Sequence, residues 1–227
     1  MAMKSRLVVM LTNHDVTVPN AQETFDSAKD LAQVKYWGFK NVGLPKDQMR
    51  ALVQSMKAAG KTTFLEVVTY TEAECMDGAK TAVECGFDYL CGTLFYESVW
   101  NYLKDKNIGY QPFLGEVYGS PSVLEGSMES MIAQGNDLIA RGIKGFDLLA
   151  YRYTGDAELL AEKCVKELAA DIVIAGSIDS KARLETVNAI NPWGFTMGSA
   201  LFNANFVKGG TFRENLEEVV RLMQEIG

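Results

Sequence analysis

The chain has 227 residues, of which 48% are hydrophobic and 22% are charged, and its formal net charge is −7. This length and balance are typical of a soluble globular domain with a substantial core. The negative charge argues against nucleic acid and anionic membranes as partners, although local cations and N–H groups still allow a small anionic ligand.

The start of the chain and its cysteines indicate a cytoplasmic protein. The apolar run Leu7–Leu11 is too short for the core of a signal peptide or for a membrane span. The four cysteines form no CxxC pair, so we expect reduced thiols. No linker or low-complexity segment interrupts the sequence, and residues 1–227 are therefore predicted to form a single domain.

A repeated unit is visible along the chain: a helix-like segment ends in glycine and leads directly into a strand. Glycine just past a helix supplies a left-handed closing turn. The segments are Tyr36–Phe39, Ala58–Lys61, Glu84–Phe87 and Ala140–Ile143.

Short apolar runs without strict alternation are typical of strands buried on both faces, and the chain has eight of them. The predicted strands are Leu7–Leu11, Asn41–Leu44, Thr62–Val68, Phe87–Cys91, Tyr110–Leu114, Phe146–Ala150, Asp171–Ala175 and Trp193–Met197. Eight strands alternating with helices predict a (β/α)₈ TIM barrel, and an open doubly wound sheet is the alternative.

Several residues match the patterns that begin helices. Capping-box spacings occur at Asn20 with Glu23, Thr71 with Glu74, and Thr211 with Glu214. Pro45 and Pro121 lie where a first helical turn tolerates proline.

Two glycine–serine steps follow the last two predicted strands. Gly176 and Ser177 come after the seventh strand, and Gly198 and Ser199 come after the eighth. Glycine lets the backbone approach a ligand closely, and a following helix N-terminus favours an anion. The two turns predict a phosphate-binding site, although tight connections between strands and helices also need small residues.

In a TIM barrel the active site is built at the carboxyl ends of the strands. Polar residues at these positions are the candidates for the site. They are Asn13, His14 and Asp15 after strand 1, Lys46 after strand 2, Glu66 on strand 3, Glu116 after strand 5, Arg152 after strand 6 and Asp179 after strand 7.

Glu66 lies between apolar neighbours, where burial raises the pKa of a carboxyl group towards the range useful for proton transfer. Its alternative role is a structural ion pair with Lys46 or Arg152. His14 is the only histidine, and it suits either acid/base work or an ordinary solvated loop position. Without a cysteine or carboxylate cluster around it, no metal site is expected.

Lys46 could bind a phosphate, form a Schiff base, or lie solvated at the start of a helix. Arg152 could clamp an anion or cover the barrel rim. The aromatic residues Trp37, Trp100 and Tyr102 could form the interface of a homo-oligomer, or they could pack helices against the barrel.

The segment Asp147–Phe202 resembles the C-terminal half of the histidine-biosynthesis isomerase and cyclase barrels, which belong to the ribulose-phosphate-binding superfamily. The motifs that carry the resemblance are Thr154–Leu160, Ile174–Ile178 and Met197–Leu201. The resemblance implies that Gly176, Ser177, Gly198 and Ser199 bind a substrate phosphate, and that Asp15 and Glu116 act as the acid/base pair. Ser177 departs from the family, which usually has a second glycine there.

The first half of the chain lacks the family's pattern at strand 1, so identity with either histidine enzyme is not expected. The predicted function is an isomerase or epimerase of a small phosphorylated sugar, using carboxylates and no cofactor. The alternatives are a Schiff-base lyase or aldolase and a non-catalytic sensor of a phosphate ligand, similar to the glycerol-3-phosphate-responsive antiterminators.

Overall fold

The computed structural model describes residues 3–227, in which short strands alternate with helices. The strands are β1 (Arg6–Met10), β2 (Thr12–Asn13), β3 (Val16–Thr17), β4 (Tyr36–Lys40), β5 (Thr62–Val67), β6 (Tyr89–Gly92), β7 (Gly109–Gln111), β8 (Glu116–Tyr118), β9 (Val123–Glu125), β10 (Gly145–Leu148), β11 (Asp171–Ile174) and β12 (Gly194–Met197). The helices are α1 (Ala21–Ala28), α2 (Lys46–Ala58), α3 (Glu72–Cys85), α4 (Glu97–Leu103), α5 (Met128–Ala140), α6 (Ala157–Glu167), α7 (Lys181–Ile190), α8 (Ser199–Phe202) and α9 (Phe212–Ile226), and a 3₁₀ turn spans Ala150–Arg152.

Eight of these strands form one parallel sheet in the order β10-β11-β12-β1-β4-β5-β6-β7. The two ends of the sheet meet where Phe113 bridges Asp147 in parallel. There the N–H of Asp147 donates to the carbonyl of Pro112 at 3.1 Å. The sheet is therefore closed into a barrel with helices between its strands, which confirms the predicted (β/α)₈ fold.

The two faces of each barrel strand have different partners. Outward-facing residues such as Val9, Phe39 and Leu65 are buried in the main core with the surrounding helices. Inward-facing residues, including Val8, Met10 and Phe64, form a second cluster along the barrel axis. Burial on both faces explains why the strands appear in the sequence as continuous apolar runs.

Aromatic rings fill the barrel axis near the amino ends of the strands. Phe64 and Tyr89 stack with their ring centroids 4.5 Å apart, and Tyr36 meets Trp193 edge to face at 5.6 Å. The guanidinium of Arg6 lies 4.7 Å from the centroid of Trp193. We call Tyr36, Phe64, Tyr89 and Trp193 the aromatic plug. It leaves the opposite end of the barrel as the place for a ligand cavity.

The second barrel strand is not where the sequence predicted it. The strand is Tyr36–Lys40, not Asn41–Leu44, and Gly38 lies within it and does not end a helix. A Cβ atom on Gly38 would come within 2.8 Å of the Met10 sulfur and 2.9 Å of Phe64. This glycine is thus required by close packing inside the barrel. The glycines at 60, 86 and 142 have positive φ and follow helices as predicted.

Two other predictions about local structure were wrong. Pro121 lies between β8 and β9 and not in a helix, and the side chain of Asn20 makes no cap hydrogen bond to α1. Of the two roles predicted for Trp37, the structure supports packing of helices against the barrel, because Trp37 is fully buried and contacts Phe25 and Phe212. The side chains of Thr71 and Thr211 cap helices α3 and α9, as the capping-box spacing predicted.

Two antiparallel hairpins interrupt the regular alternation at the carboxyl ends of the strands. β2 and β3 form the first hairpin, directly after β1, and β8 and β9 form the second, after β7. Both therefore border the mouth of the barrel. Among residues 3–227, no helix is long and apolar enough to cross a membrane.

Candidate active site

A cavity of about 280 Å³ opens at the carboxyl ends of the barrel strands. Two kinds of residue predicted from the sequence meet around it: titratable side chains and the small residues of the glycine–serine turns. These are Asp15, Glu66, Arg152, Gly176, Ser177, Asp179, Gly198 and Ser199. The arrangement places potential acid/base groups and potential anion-binding turns in one space.

Lys40 lies at the centre of the charged part of this cavity. Its ammonium is 2.9 Å from Oδ1 of Asp15 and 3.7 Å from Oε1 of Glu66. The side chains of Lys40 and Glu66 are only 11% and 13% exposed, whereas that of Asp15 is 48% exposed. Because Lys40 and Glu66 are register partners at the ends of β4 and β5, the barrel itself sets their separation.

The position of Asp15 depends on an unusual turn. His14 and Asp15 join β2 to β3 as a two-residue hairpin loop, with φ angles of +49° and +62°. Such loops usually contain asparagine or glycine, because left-handed backbone is unfavourable for other residues. Left-handed residues kept by their surroundings cluster at functional sites. Here the turn brings the Asp15 carboxylate to Lys40.

The three charged groups are not equally ionisable. Burial raises the pKa of Glu66, and the charge of Lys40 only partly opposes this effect. Burial acts against the Lys40 ammonium, but the attraction of Glu66 and Asp15 outweighs it and raises the pKa of Lys40. Burial also acts against Asp15, but its hydrogen bond to Lys40 holds the pKa of Asp15 below its ordinary value. The site thus combines a fixed cation, a fixed anion and a carboxyl group suited to exchanging a proton.

The glycine–serine turns form the opposite wall of the cavity. Gly176 has a φ of +105°, and the N–H of Ile178 donates back to its carbonyl at 2.7 Å. A Cβ atom on Gly198 would lie 2.7 Å from the carbonyl oxygen of Thr12, so this position accepts only glycine. Ser199 begins α8, and the first N–H groups of a helix have no acceptor within it. The two turns can present N–H groups to an anion.

Arginine side chains surround these turns. Arg152 lines the cavity and is close enough for its charge to lower the pKa of Asp15. Arg183 lies over the ring of Tyr151 at 4.2 Å and donates to the carbonyl of Ser177. Arg152 and Arg183 therefore bring positive charge close to these turns, where the carboxylate of Asp179 also lines the cavity.

The structure does not bring every candidate into the cavity. Lys46 lies at the start of α2, where its ammonium pairs with Glu84 at 2.7 Å, and both side chains are largely exposed. Glu116 is exposed on the β8–β9 hairpin, and His14 is exposed at the tip of its turn. Asn13 lies on β2 but does not line the cavity. The backbone N–H of His14 nevertheless donates to Oγ of Ser199 at 3.3 Å, which ties the two sides of the mouth together.

Two titratable residues of the barrel interior were missed in the sequence. Lys40 was overlooked because the second strand was predicted to begin after it. Asp147 lies inside β10, is 1% exposed, and has a pKa raised well above its ordinary value by burial and by the charge of Glu66. Asp147 lies between the apolar residues Phe146 and Leu148, and the same pattern of apolar neighbours identified Glu66 in the sequence.

Among the described residues, no group of three or more histidine, cysteine, aspartate or glutamate side chains is arranged to hold a metal ion. The cysteines are free and buried. Lysine and arginine are therefore the cations that the described part of the chain supplies to the cavity.

Comparison with solved structures places the fold among known barrels. Orotidine 5'-phosphate decarboxylase from Pyrococcus horikoshii OT3 superposes with a TM-score of 0.71 at 13% identity, over 95% of this chain and 98% of that one. 3-Hexulose-6-phosphate synthase from Salmonella typhimurium gives 0.66 at 15% identity, over 98% and 100% of the two chains. Native KDPGal gives 0.69 at 11%, over 100% and 98%. The chain has the fold of these barrels.

At such low identities the likeness concerns the fold alone. No protein-family model matches the sequence, and no curated protein matches it either. Any statement about substrate and reaction must therefore start from the residues of the cavity.

Proposed function

We propose that this barrel binds a small phosphorylated sugar and transfers a proton at a carbon next to its carbonyl group, as an isomerase or epimerase. One observation carries the proposal: the Asp15–Lys40–Glu66 cluster lies in the same cavity as the two glycine–serine turns. The turns suit a phosphate, and the cluster suits the removal and return of a proton.

Each residue then has a defined task. Gly176, Ser177, Gly198 and Ser199 hold the phosphate through backbone N–H groups, with Arg152 nearby. Glu66 removes the proton, because burial raises the pKa of its carboxyl group and makes the carboxylate a stronger base. The Lys40 ammonium stabilises the negative charge that develops on the carbonyl oxygen, and Asp15 holds Lys40 in place.

A Schiff-base mechanism has less support. A lysine that attacks a carbonyl group must be neutral, which requires a lowered pKa. The pKa of Lys40 is raised, because Glu66 and Asp15 together outweigh the effect of burial. Lys46 pairs with Glu84 away from the cavity. The sequence-based alternative of a Schiff base on Lys46 therefore has no geometric support.

The choice of a phosphorylated substrate is strengthened by resemblance. Two of the similar structures are named for phosphate esters, orotidine 5'-phosphate and 3-hexulose-6-phosphate. The motifs after strands 7 and 8 also resemble the histidine-biosynthesis barrels, at the turns that line the cavity. We therefore place the chain in the ribulose-phosphate-binding superfamily as part of this proposal.

A lyase reaction without a Schiff base is the second candidate. The names of two similar structures include a decarboxylase and a synthase. Breaking a carbon–carbon bond next to a carbonyl group leaves the same enolate-like charge that Lys40 is placed to stabilise. Proton transfer remains the preferred reaction because Glu66 is a carboxyl group with a raised pKa in the cavity.

The proposal extends to partners and location. The negative net charge favours a small metabolite over nucleic acid or an anionic membrane, and the free cysteines fit a cytoplasmic location. A homo-oligomer remains part of the proposal, with the partly buried Trp100 and Tyr102 as interface residues.

Proton exchange in heavy water tests the proposed activity. The protein is incubated in D₂O with a panel of ketose and aldose phosphates, and NMR follows the loss of the C–H signal next to the carbonyl group. We expect exchange with at least one compound, its loss in Glu66→Gln, and its retention in the control Glu84→Gln, which alters an exposed carboxylate far from the cavity.

Thermal shift with the same panel separates the alternatives. Stabilisation by a sugar phosphate without exchange or turnover supports the phosphate-ligand sensor and contradicts the enzyme. Cleavage products in the NMR spectra support the lyase. If no phosphorylated compound raises the melting temperature at millimolar concentration, the phosphate site itself is refuted.

A further inference from the structure

A row of polar side chains runs around the inside of the barrel at the level of the cavity floor. Strand register pairs Lys40 with Glu66, Glu66 with Cys91, and Cys91 with Gln111. Asp147 lies on the next strand, two residues beyond the level of Gln111, and its neighbours Phe146 and Leu148 face outward into the main core. Residues that alternate along a strand point to opposite faces, so Asp147 faces the interior.

Gln111 and Asp147 lie close together in this row. The bridge between Phe113 and Asp147 fixes the register of their two strands. A Cβ atom on Gly145 would lie 2.9 Å from Nε2 of Gln111, so the glutamine side chain reaches across to β10. Gly145 and Asp147 are on the same face of that strand, which makes Gln111 a diagonal neighbour of Asp147.

Both side chains contain a buried oxygen without a partner. Oδ1 of Asp147 and Oε1 of Gln111 accept no hydrogen bond from any described residue, and the two residues are only 1% and 2% exposed. An ionised Asp147 would bury a charge without an ion-pair partner, and a hydrogen bond from the backbone of Gly92 offsets this only in part. A protonated carboxyl group has an O–H, and it can donate to a neighbouring oxygen. A buried acceptor oxygen that receives no hydrogen bond costs about 1–3 kcal/mol.

The surrounding charges favour the same protonation state. Glu66 on β5 repels a second negative charge at this level, and Lys40 on β4 opposes that effect only in part. Cys91 on β6 is neutral, since burial raises the pKa of its thiol well above the ordinary value. Asp15 and Arg152 line the cavity at the mouth, and Asp171 lies on β11 two residues below the level of Asp147. Lys40 is already held by two carboxylates.

We propose that Asp147, which is buried and forms no ion pair among the described residues, is held as a neutral carboxylic acid in the interior of the barrel. A neutral Asp147 leaves Glu66 as the one of these two buried carboxyl groups that ionises. The bearing of this state on proton exchange rests on the proposed function of Glu66.

Infrared spectroscopy of the resting protein gives a direct test. At neutral pH we expect a carboxylic-acid C=O band that moves when aspartate is labelled with ¹³C. The band disappears in Asp147→Asn and remains in the control Asp171→Asn, which removes another partly buried carboxyl group of the barrel. Absence of the band in the wild-type protein, or its persistence in Asp147→Asn, would overturn the proposal.

The titration of Glu66 distinguishes a neutral Asp147 from an ionised one. Asparagine has nearly the shape and the neutral charge of a protonated aspartate. In Asp147→Asn, the Glu66 pKa followed by NMR of ¹³C-labelled glutamate therefore moves by less than about half a unit. If Asp147 were ionised, removing its charge would lower the Glu66 pKa by about one unit or more.

Neither measurement needs a substrate, so they test Asp147 even if no sugar phosphate is turned over. If Asp147→Asn does not fold, NMR of wild-type protein labelled at the aspartate carboxyl carbons replaces it. One resonance is then expected to keep the chemical shift of a protonated carboxyl group at neutral pH, and a set of fully ionised resonances would contradict the proposal.

Discussion

The ammonium of Lys40 lies 2.9 Å from Oδ1 of Asp15, although one residue ends a barrel strand and the other is at the tip of a hairpin. The contact joins a rigid part of the barrel to a short insertion at its mouth. Lys40 is mostly buried, so few solvent molecules compete for its charge. The lysine is thereby oriented before any ligand enters the cavity.

Replacing Lys40 with methionine tests the importance of this charge. Lys40→Met keeps the length of the side chain and removes the cation that stabilises developing negative charge. We expect kcat/KM to fall by about 10²–10³-fold. Without the lysine, the pKa of Glu66 also rises, so activity appears only at higher pH. The matched variant Lys46→Met, on the outside of the barrel, is expected to keep kcat/KM within about twofold. Equal losses in both variants would contradict the placement of the site.

Two charge-neutralising substitutions are expected to shift the pH profile in opposite directions. Burial is the main cause of the raised pKa of Glu66, Asp15 raises it further, and Arg152 lowers it. Asp15→Asn therefore moves the acidic limb of kcat/KM to lower pH, and Arg152→Gln moves it to higher pH, each by up to about one unit. Measuring initial rates across the pH range for both variants checks the signs. Shifts in the same direction would exclude Glu66 as the group that titrates.

The left-handed backbone of His14, in the hairpin that holds Asp15, is expected to lower the stability of the protein. A left-handed backbone costs a residue other than glycine about 1–2 kcal/mol, and a substitution by glycine removes this cost. The greater freedom of glycine in the unfolded chain offsets about 0.5–1 kcal/mol of that gain. His14 is exposed, and its N–H, which glycine retains, donates to Ser199. His14→Gly should therefore stabilise the protein by about 0.5 kcal/mol in urea unfolding.

The opposite change at the same position serves as its control. His14→Val introduces a β-branched residue at a positive φ, and it should lower the free energy of unfolding by at least about 1 kcal/mol. If glycine and valine have the same effect, the left-handed turn is not present in solution.

The turn after the eighth strand offers a test of phosphate binding. Gly198→Ala places a Cβ atom 2.7 Å from the carbonyl oxygen of Thr12, so the backbone of the turn must move. We expect the affinity for sugar phosphates, measured by calorimetry, to fall about tenfold or more, since misplaced N–H groups lose charge-assisted hydrogen bonds. Gly209→Ala is the control: its Cβ meets nothing within 4 Å, and it should alter stability but not affinity.

The barrel and its glycine–serine turns were predictable because they depend on regular features. Strands buried on both faces and helices closed by glycine repeat along the chain, and Gly176–Ser177 and Gly198–Ser199 follow strands at equivalent points. These are local patterns. They remain visible in the sequence because the same physical requirement recurs in each unit.

The centre of the site was harder to predict, because it depends on distant contacts. Gly38 resembled the end of a helix, but close packing against Met10 and Phe64 places it in a strand. Because of that error, the predicted strand began after Lys40, and the sequence pointed to Lys46 as the lysine of the site. The hairpins β2–β3 and β8–β9 have strands of only two or three residues, too short to show a period. Their effect on Asp15 and Glu116 is therefore evident only in three dimensions.

The aromatic plug has a consequence for the order in which products leave. Its stacked rings fill the barrel axis, so a molecule that reaches Glu66 from the mouth must return through the mouth. An isomerised sugar leaves in one step with its phosphate. In a cleavage reaction, however, the fragment formed near Glu66 would lie behind the phosphorylated fragment, and release would follow a fixed sequence. Product inhibition can therefore distinguish the two reactions. Isomerisation would show one product and a simple competitive pattern, whereas cleavage would show two products with unequal and ordered inhibition.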